Sequence, residues 1–161
     1  MLHCNWIRAN NFTDSYFASV ESLWRNNCAQ LFVSDFDFIF IVPMKSKSNL
    51  YLVLKQFFNS ICVSPTIVCV KASEQIQGKS RQICHQTGAH IQHLEKGTPW
   101  AKQTELFISF IKHDIRKDLK KSNCSRKLWD YCAQWRMRIL NATYRYNMVS
   151  HGIVPHFFMT G

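Results

Sequence analysis

Residues 98–105 read TPWAKQTE, and they open the longest helical pattern in the chain. Thr98 has the hydroxyl favoured at an N-cap, and Pro99 suits the first helical position, where its missing N–H costs nothing. At about 100° per residue, Lys102, Glu105, Ser109, Lys112 and Arg116 fall on one stripe, while Phe107, Ile108, Phe110, Ile111 and Ile115 gather on the other side. The pattern predicts an amphipathic helix running to about Lys120. Glu105 stands two turns in, beyond the reach of the terminal dipole. Its plain reading is a solvated carboxylate paired with Lys102 and Lys112.

Upstream lies what this helix packs against. Phe12–Val20, Ala29–Val33 and Phe38–Val42 are rich in β-branched and aromatic residues, and the short polar breaks between them permit antiparallel turns. Ser48 is placed to cap a helix in which Leu50, Val53, Leu54, Phe57, Phe58 and Ile61 repeat at helical spacing. TIVCV at 66–70 reads as a strand buried on both faces. A helix from about Ser73 to Thr87 closes at Gly88, and a short strand from His90 to Leu94 leads into TPW. A last helix fits Arg126–Asn141, with Leu128, Trp129, Cys132, Trp135, Ile139 and Leu140 on its buried side. The order β-β-β-α-β-α-β-α-α predicts an α/β fold, a mixed five-stranded sheet flanked by helices.

With 161 residues, 47% of them hydrophobic, the chain fits one domain over 1–161, with a core of about 10–145 and a C-terminal extension at 146–161. Twenty Lys and Arg against 10 Asp and Glu give a net charge of +10, which favours a polyanionic partner. MLHCNWIRANNF has neither the apolar core nor the cleavage site of a signal peptide. LFVSDFDFIFIVPM is broken by Asp35, Asp37 and Pro43, so it is no membrane span. The expected setting is intracellular, nuclear or cytoplasmic, with no membrane partner. Seven cysteines without a C-x-x-C pair argue against a disulfide framework, and His85, His90 and His93 lack the cysteine pair of a zinc site, so no zinc is expected. The sequons at Asn11, Asn123 and Asn141 would matter only in a secreted protein.

FTDS at 12–15, PMKSKS at 43–48, SEQIQGK at 73–79, TPWAKQTE at 98–105 and LWDYC at 128–132 resemble, in that order, the integrase catalytic core of copia-like retrotransposons. The terminal GIVPHFFMTG is similar to the segment that follows it, so the resemblance covers nearly the whole chain. It implies a ribonuclease H-like fold of the DDE type, a polynucleotidyl transferase acting in DNA integration, and a triad of two Asp and one Glu holding Mg²⁺ or Mn²⁺. Such ions require clustered oxygen ligands, and a pair of them stabilises the attacking and leaving oxygens of phosphoryl transfer. Asp14 matches the first Asp, Glu105 the Glu, and Lys112 a lysine that contacts the element's DNA end.

The register lands on Val70 where the second Asp belongs. Valine supplies neither ligand oxygen nor negative charge, so the resemblance and this departure together imply impaired ion binding and lost integration activity. Glu74, one helical turn beyond, matches a glutamate of the family and is no substitute. Lys102 replaces a usual Asn and puts a further cation beside the metal-binding face. The N-terminal zinc-binding His/Cys module of integrases is missing, which reads as a fragment. The leading expectation is a degenerate core that binds DNA through Lys102, Lys112, Arg116 and Lys117, with Lys120 and Lys121 behind them, and shows a steep salt dependence. Two alternatives stay open: an active Mg²⁺-dependent enzyme using Asp14, Glu105 and another ligand, or a non-catalytic interaction scaffold that forms a homodimer.

Overall fold

The computed structural model describes residues 10–35, 37–61, 66–69, 78–94 and 98–143. Five strands form one sheet in the order β3-β2-β1-β4-β5. β1 (Asn10–Phe17), β2 (Cys28–Ser34) and β3 (Ile39–Met44) make the antiparallel meander. β4 (Thr66–Cys69) and β5 (His90–His93) add in parallel on the other side of β1. The helices are α1 (Leu50–Ile61), α2 (Lys79–Thr87), α3 (Pro99–Lys121) and α4 (Trp129–Ala142). This is the mixed, ribonuclease H-like arrangement read from the sequence. Among the described residues no helix is long and apolar enough to cross a membrane.

Strand alternation divides the core in two. On one face Phe32 stacks on Phe57 with ring centroids 4.2 Å apart, and Val53, Leu54, Phe58 and Ile67 complete the layer under α1. On the other, Leu31, Val33, Ile39 and Ile41 meet Phe107, Ile111, Ile115 and Leu119 of α3 and Trp129 and Ala133 of α4. In β4, Ile67, Val68 and Cys69 are all buried, as a strand between two neighbours requires. The apolar faces of the last two helices differ from expectation in one residue each. Phe110 is 57% exposed, because the buried row of α3 runs through 107, 111, 115 and 119 and position 110 falls beside it. Trp135 is 61% exposed, because α4 turns Trp129, Ala133 and Asn141 inward and 135 lies about 200° round from 133.

Element ends follow local chemistry. β1 stops at Phe17 rather than Val20, since the Ala18 N–H already donates to Asn27 O and the chain turns away. The interrupted apolar run is a hairpin. Asp37 takes a left-handed conformation (φ 59°), its N–H donates to Ser34 O, and the Ser34 hydroxyl accepts from the Phe38 N–H. Ser48 does not cap α1; it lies within a 3₁₀ turn, Lys47–Asn49, that precedes the helix. Thr98 O accepts from the Lys102 N–H at the start of α3, and Gly88 (φ 74°) closes α2 by donating to Cys84 and His85 carbonyls. The expected start of α2 at Ser73 lies outside the described residues.

The outer edge of β3 is finished residue by residue. Positions 39, 41 and 43 share a parity, opposite Val33, Leu31 and Ala29. The Ile39 N–H donates to Asn141 Oδ1 (2.8 Å) and Asn141 Nδ2 donates back to Ile39 O (2.7 Å). The Ile41 N–H points at Met137 Sδ (3.1 Å), and Pro43 has no N–H to offer. Pro43 is therefore tolerated inside a strand because that strand is an edge.

Candidate nucleic-acid interface

Asp14 sits in β1 opposite Leu31 and shares a side of the sheet with Tyr16 and the α3–α4 core. Its side chain is buried, and Oδ1 accepts the Ser15 N–H at 2.7 Å. Thr13 and Ser15 point the other way and are held by Gln30, whose Nε2 donates to Thr13 Oγ1 and whose Oε1 accepts from Ser15 Oγ. These bonds fix the strand that presents Asp14. In the parallel ladder Thr13 is level with Cys69, the last residue of β4. Val70 and Glu74 lie outside the described residues.

Glu105 is exposed on α3. Among the described residues it makes no ion pair, so the expected partners Lys102 and Lys112 are not bound to it. Lys112 instead places Nζ 5.2 Å from the centre of the Tyr16 ring, two residues along β1 from Asp14. Arg116 also faces Tyr16 and favours its ionised form, though burial dominates and pushes the phenol above its ordinary value. The C-terminal half of α3 thus lies along the end of β1. Glu105 lies about 10 Å back from Lys112 along the helix axis.

A groove of about 850 Å³ opens where the end of β1, α3 and the α3–α4 corner meet. Lys112, Arg116, Lys120 and Arg126 line it, and among the described residues no carboxylate does. Three of these cations follow from the i, i+4 spacing of α3; Arg126 does not, because only the corner brings it round. Lys117 is absent from the lining, one helical step further round on the side of Asp118. There the Arg136 guanidinium binds Asp118 through two nitrogens and Asp114 through a third, at 3.5 Å. The hydrogen bond from Arg136 chiefly holds the Asp118 carboxyl below its usual range, with help from Lys121 and Lys117. Lys102 is exposed near the start of α3, apart from this groove.

LWDYC has a structural task. Trp129 and Asp130 are both buried. Asp130 Oδ2 accepts from Asn26 Nδ2 at 2.9 Å and Oδ1 from the Tyr131 N–H, which fastens the β1–β2 connection to the first turn of α4. Trp129 meets Tyr16 edge to face, with ring centroids 5.4 Å apart.

Two carboxylates do not make a site for a pair of hard cations. Among the described residues no three His, Cys, Asp or Glu side chains gather where a metal could be held. Asp14 and Glu105 therefore do not by themselves fit Mg²⁺ or Mn²⁺. The groups that do converge are cations around an open groove, an arrangement suited to phosphate.

No family model and no curated protein matches the sequence. Among solved structures, the HTLV-2 integrase catalytic core domain, in complex with magnesium and in a trimeric form, superposes with a TM-score of 0.69 at 13% identity. The match covers 96% of this chain and 98% of that one. At such identity the likeness is one of fold: this chain has the architecture of a retroviral integrase catalytic core.

Proposed function

We propose that this protein is an integrase-like core of the copia-like retrotransposon type that binds DNA through the basic face of α3 and has lost metal-dependent strand transfer. One observation carries the reading. Thr13 pairs with Cys69, so Asp14 follows the last described pair on its side and Val70 follows it in sequence on the other. Where two carboxylates would be needed side by side, the sequence offers one carboxylate and one isopropyl group. The cations Lys102, Lys112, Arg116 and Lys117 are what remains to meet a phosphate backbone, in an intracellular setting, nuclear or cytoplasmic.

Salt-titrated binding to a labelled duplex tests it, alongside nicking and strand-transfer assays in Mg²⁺ and Mn²⁺. Binding should weaken steeply with salt, and Lys112→Ala should lower the slope by about one counterion. Metal-dependent cleavage that Glu105→Gln abolishes would overturn the proposed loss of activity; salt-independent or absent binding would overturn the DNA partner.

A second reading, a homodimeric scaffold, has its own observation. Leu23, Trp24, Tyr131 and Trp135 are each more than half exposed beside a groove of about 950 Å³ at the α3–α4 corner. Sedimentation of the wild type and of Trp135→Ser tests it; a monomer throughout removes it.

A further inference from the structure

The groove between β1 and the α3–α4 corner has features that a merely basic helix face lacks. It is concave, with about 850 Å³ of space, which is within the range of ligand sites rather than of a surface dimple. Its four cations come from two separate segments: Lys112, Arg116 and Lys120 from successive turns of α3, and Arg126 from the corner beyond. Charges that repel one another across a shared space, with no carboxylate in the lining among the described residues, destabilise the empty state and are relieved by a multivalent anion. Elsewhere along α3 opposite charges do meet within the fold, where Asp114 and Asp118 take up Arg136 from α4.

The wall carries a second sign. Trp129 is 3% exposed, and its indole N–H has no hydrogen-bond partner among the described residues. Buried donors are almost always satisfied, so this unpartnered one is sensitive to any rearrangement of the wall beside it. Because the nitrogen itself is covered, it serves here as a reporter of the groove rather than as a direct ligand.

We infer that this groove is a discrete binding site for a phosphoryl anion carrying more than one charge, held by Lys112, Arg116, Lys120 and Arg126. The inference is built on the same basic helix as the DNA-binding reading, but it requires a saturable pocket, which a diffuse surface field does not provide. The anion's source is either a nucleic-acid backbone or a free polyphosphate, and the two are separable.

The experiment titrates inorganic tripolyphosphate into the ¹⁵N-labelled protein without nucleic acid, following the indole N–H resonances, with calorimetry in parallel. The expected result is one saturable site that moves the Trp129 indole resonance, identified by its loss in Trp129→Phe. Arg116→Glu with Lys120→Glu, both at exposed positions, should weaken binding by at least tenfold. Calorimetry on that charge variant decides the matter even if Trp129→Phe fails to fold. Non-saturable binding, or affinity unchanged in the charge variant, overturns the inference. Displacement of tripolyphosphate by a short oligonucleotide assigns the site to a phosphodiester backbone. Saturable binding without such displacement assigns it to a free polyphosphate, and the salt titration of duplex binding then decides the DNA-binding proposal separately.

Discussion

Asn141→Ala would remove one side chain and strand two backbone groups. In the native fold the Asn141 amide accepts from the Ile39 N–H at 2.8 Å and donates to the Ile39 carbonyl at 2.7 Å. Ile39 is 0% exposed, so neither group can turn to water when the amide is gone. Each stranded group costs about 1–3 kcal/mol. Together they predict a loss of roughly 2–6 kcal/mol and, for a domain of this size, a fall in Tm on the order of 4–24 °C. Urea unfolding followed by circular dichroism measures the first and thermal melting the second. Asn141→Asp adds a check on sign. Its carboxylate could still accept from the Ile39 N–H but would set an acceptor against the Ile39 carbonyl. Burial and that carbonyl would raise its folded-state pKa above the unfolded value of about 4. The variant should be least impaired below that pH and lose stability as pH rises through the raised value. A loss for Asn141→Ala below about 1 kcal/mol, with an unchanged denaturant slope, would refute the bond accounting.

Three further outcomes are expected. Arg136→Met should cost only about 0.5–1 kcal/mol at neutral pH, since the pair is partly exposed; Asp118, depressed in the folded state, contributes fully above its unfolded pKa, so the difference from wild type should start to shrink below about 4 and vanish as pH falls through the depressed folded value. In a short maleimide pulse at pH 8 with site-resolved mass spectrometry, exposed Cys124 should label well before Cys69, whose thiol burial pushes up to about 12, and before Cys84 and Cys132 at about 11; equal rates for Cys69 and Cys124 would contradict the burial. Val70→Asp should produce Mn²⁺-dependent stabilisation in a thermal shift assay that Glu105→Gln removes, and no metal-dependent shift in Val70→Asp would count against the proposed register.

Periodicity carried most of the fold. Leu50, Val53, Leu54, Phe57 and Phe58 are buried on α1, and the meander and the parallel strands lie where β-branched runs predict them. It failed where a pattern admits two rotations. Trp135 and Phe110 are large and apolar, so a helical wheel draws them inward, yet the row that meets the sheet is set by Ala133 and Ile111, residues small or narrow enough for close approach. The site was legible in part. Helical spacing puts Lys112 and Arg116 on one stripe, and both line the groove, whereas Asp14 and Glu105 rest on the motif alone. Arg126 and the Asn26–Asp130 bond were not readable, because they depend on how a corner between two helices folds back on the β1–β2 connection. The sequons illustrate the same limit: a tripeptide at Asn11 or Asn141 carries no sign that the side chain is buried.

The finished edge of β3 bears on how copies of this protein can meet. A sheet edge with open N–H groups is a template on which an incoming strand can grow. At 39, 41 and 43 that template has been erased by an amide, a thioether and an imino acid. Self-association on this side has to engage helices, because extension of the sheet through β3 is blocked. Loss of Asn141 would then do two harmful things together, loosening the fold and reopening a place where aggregation can start.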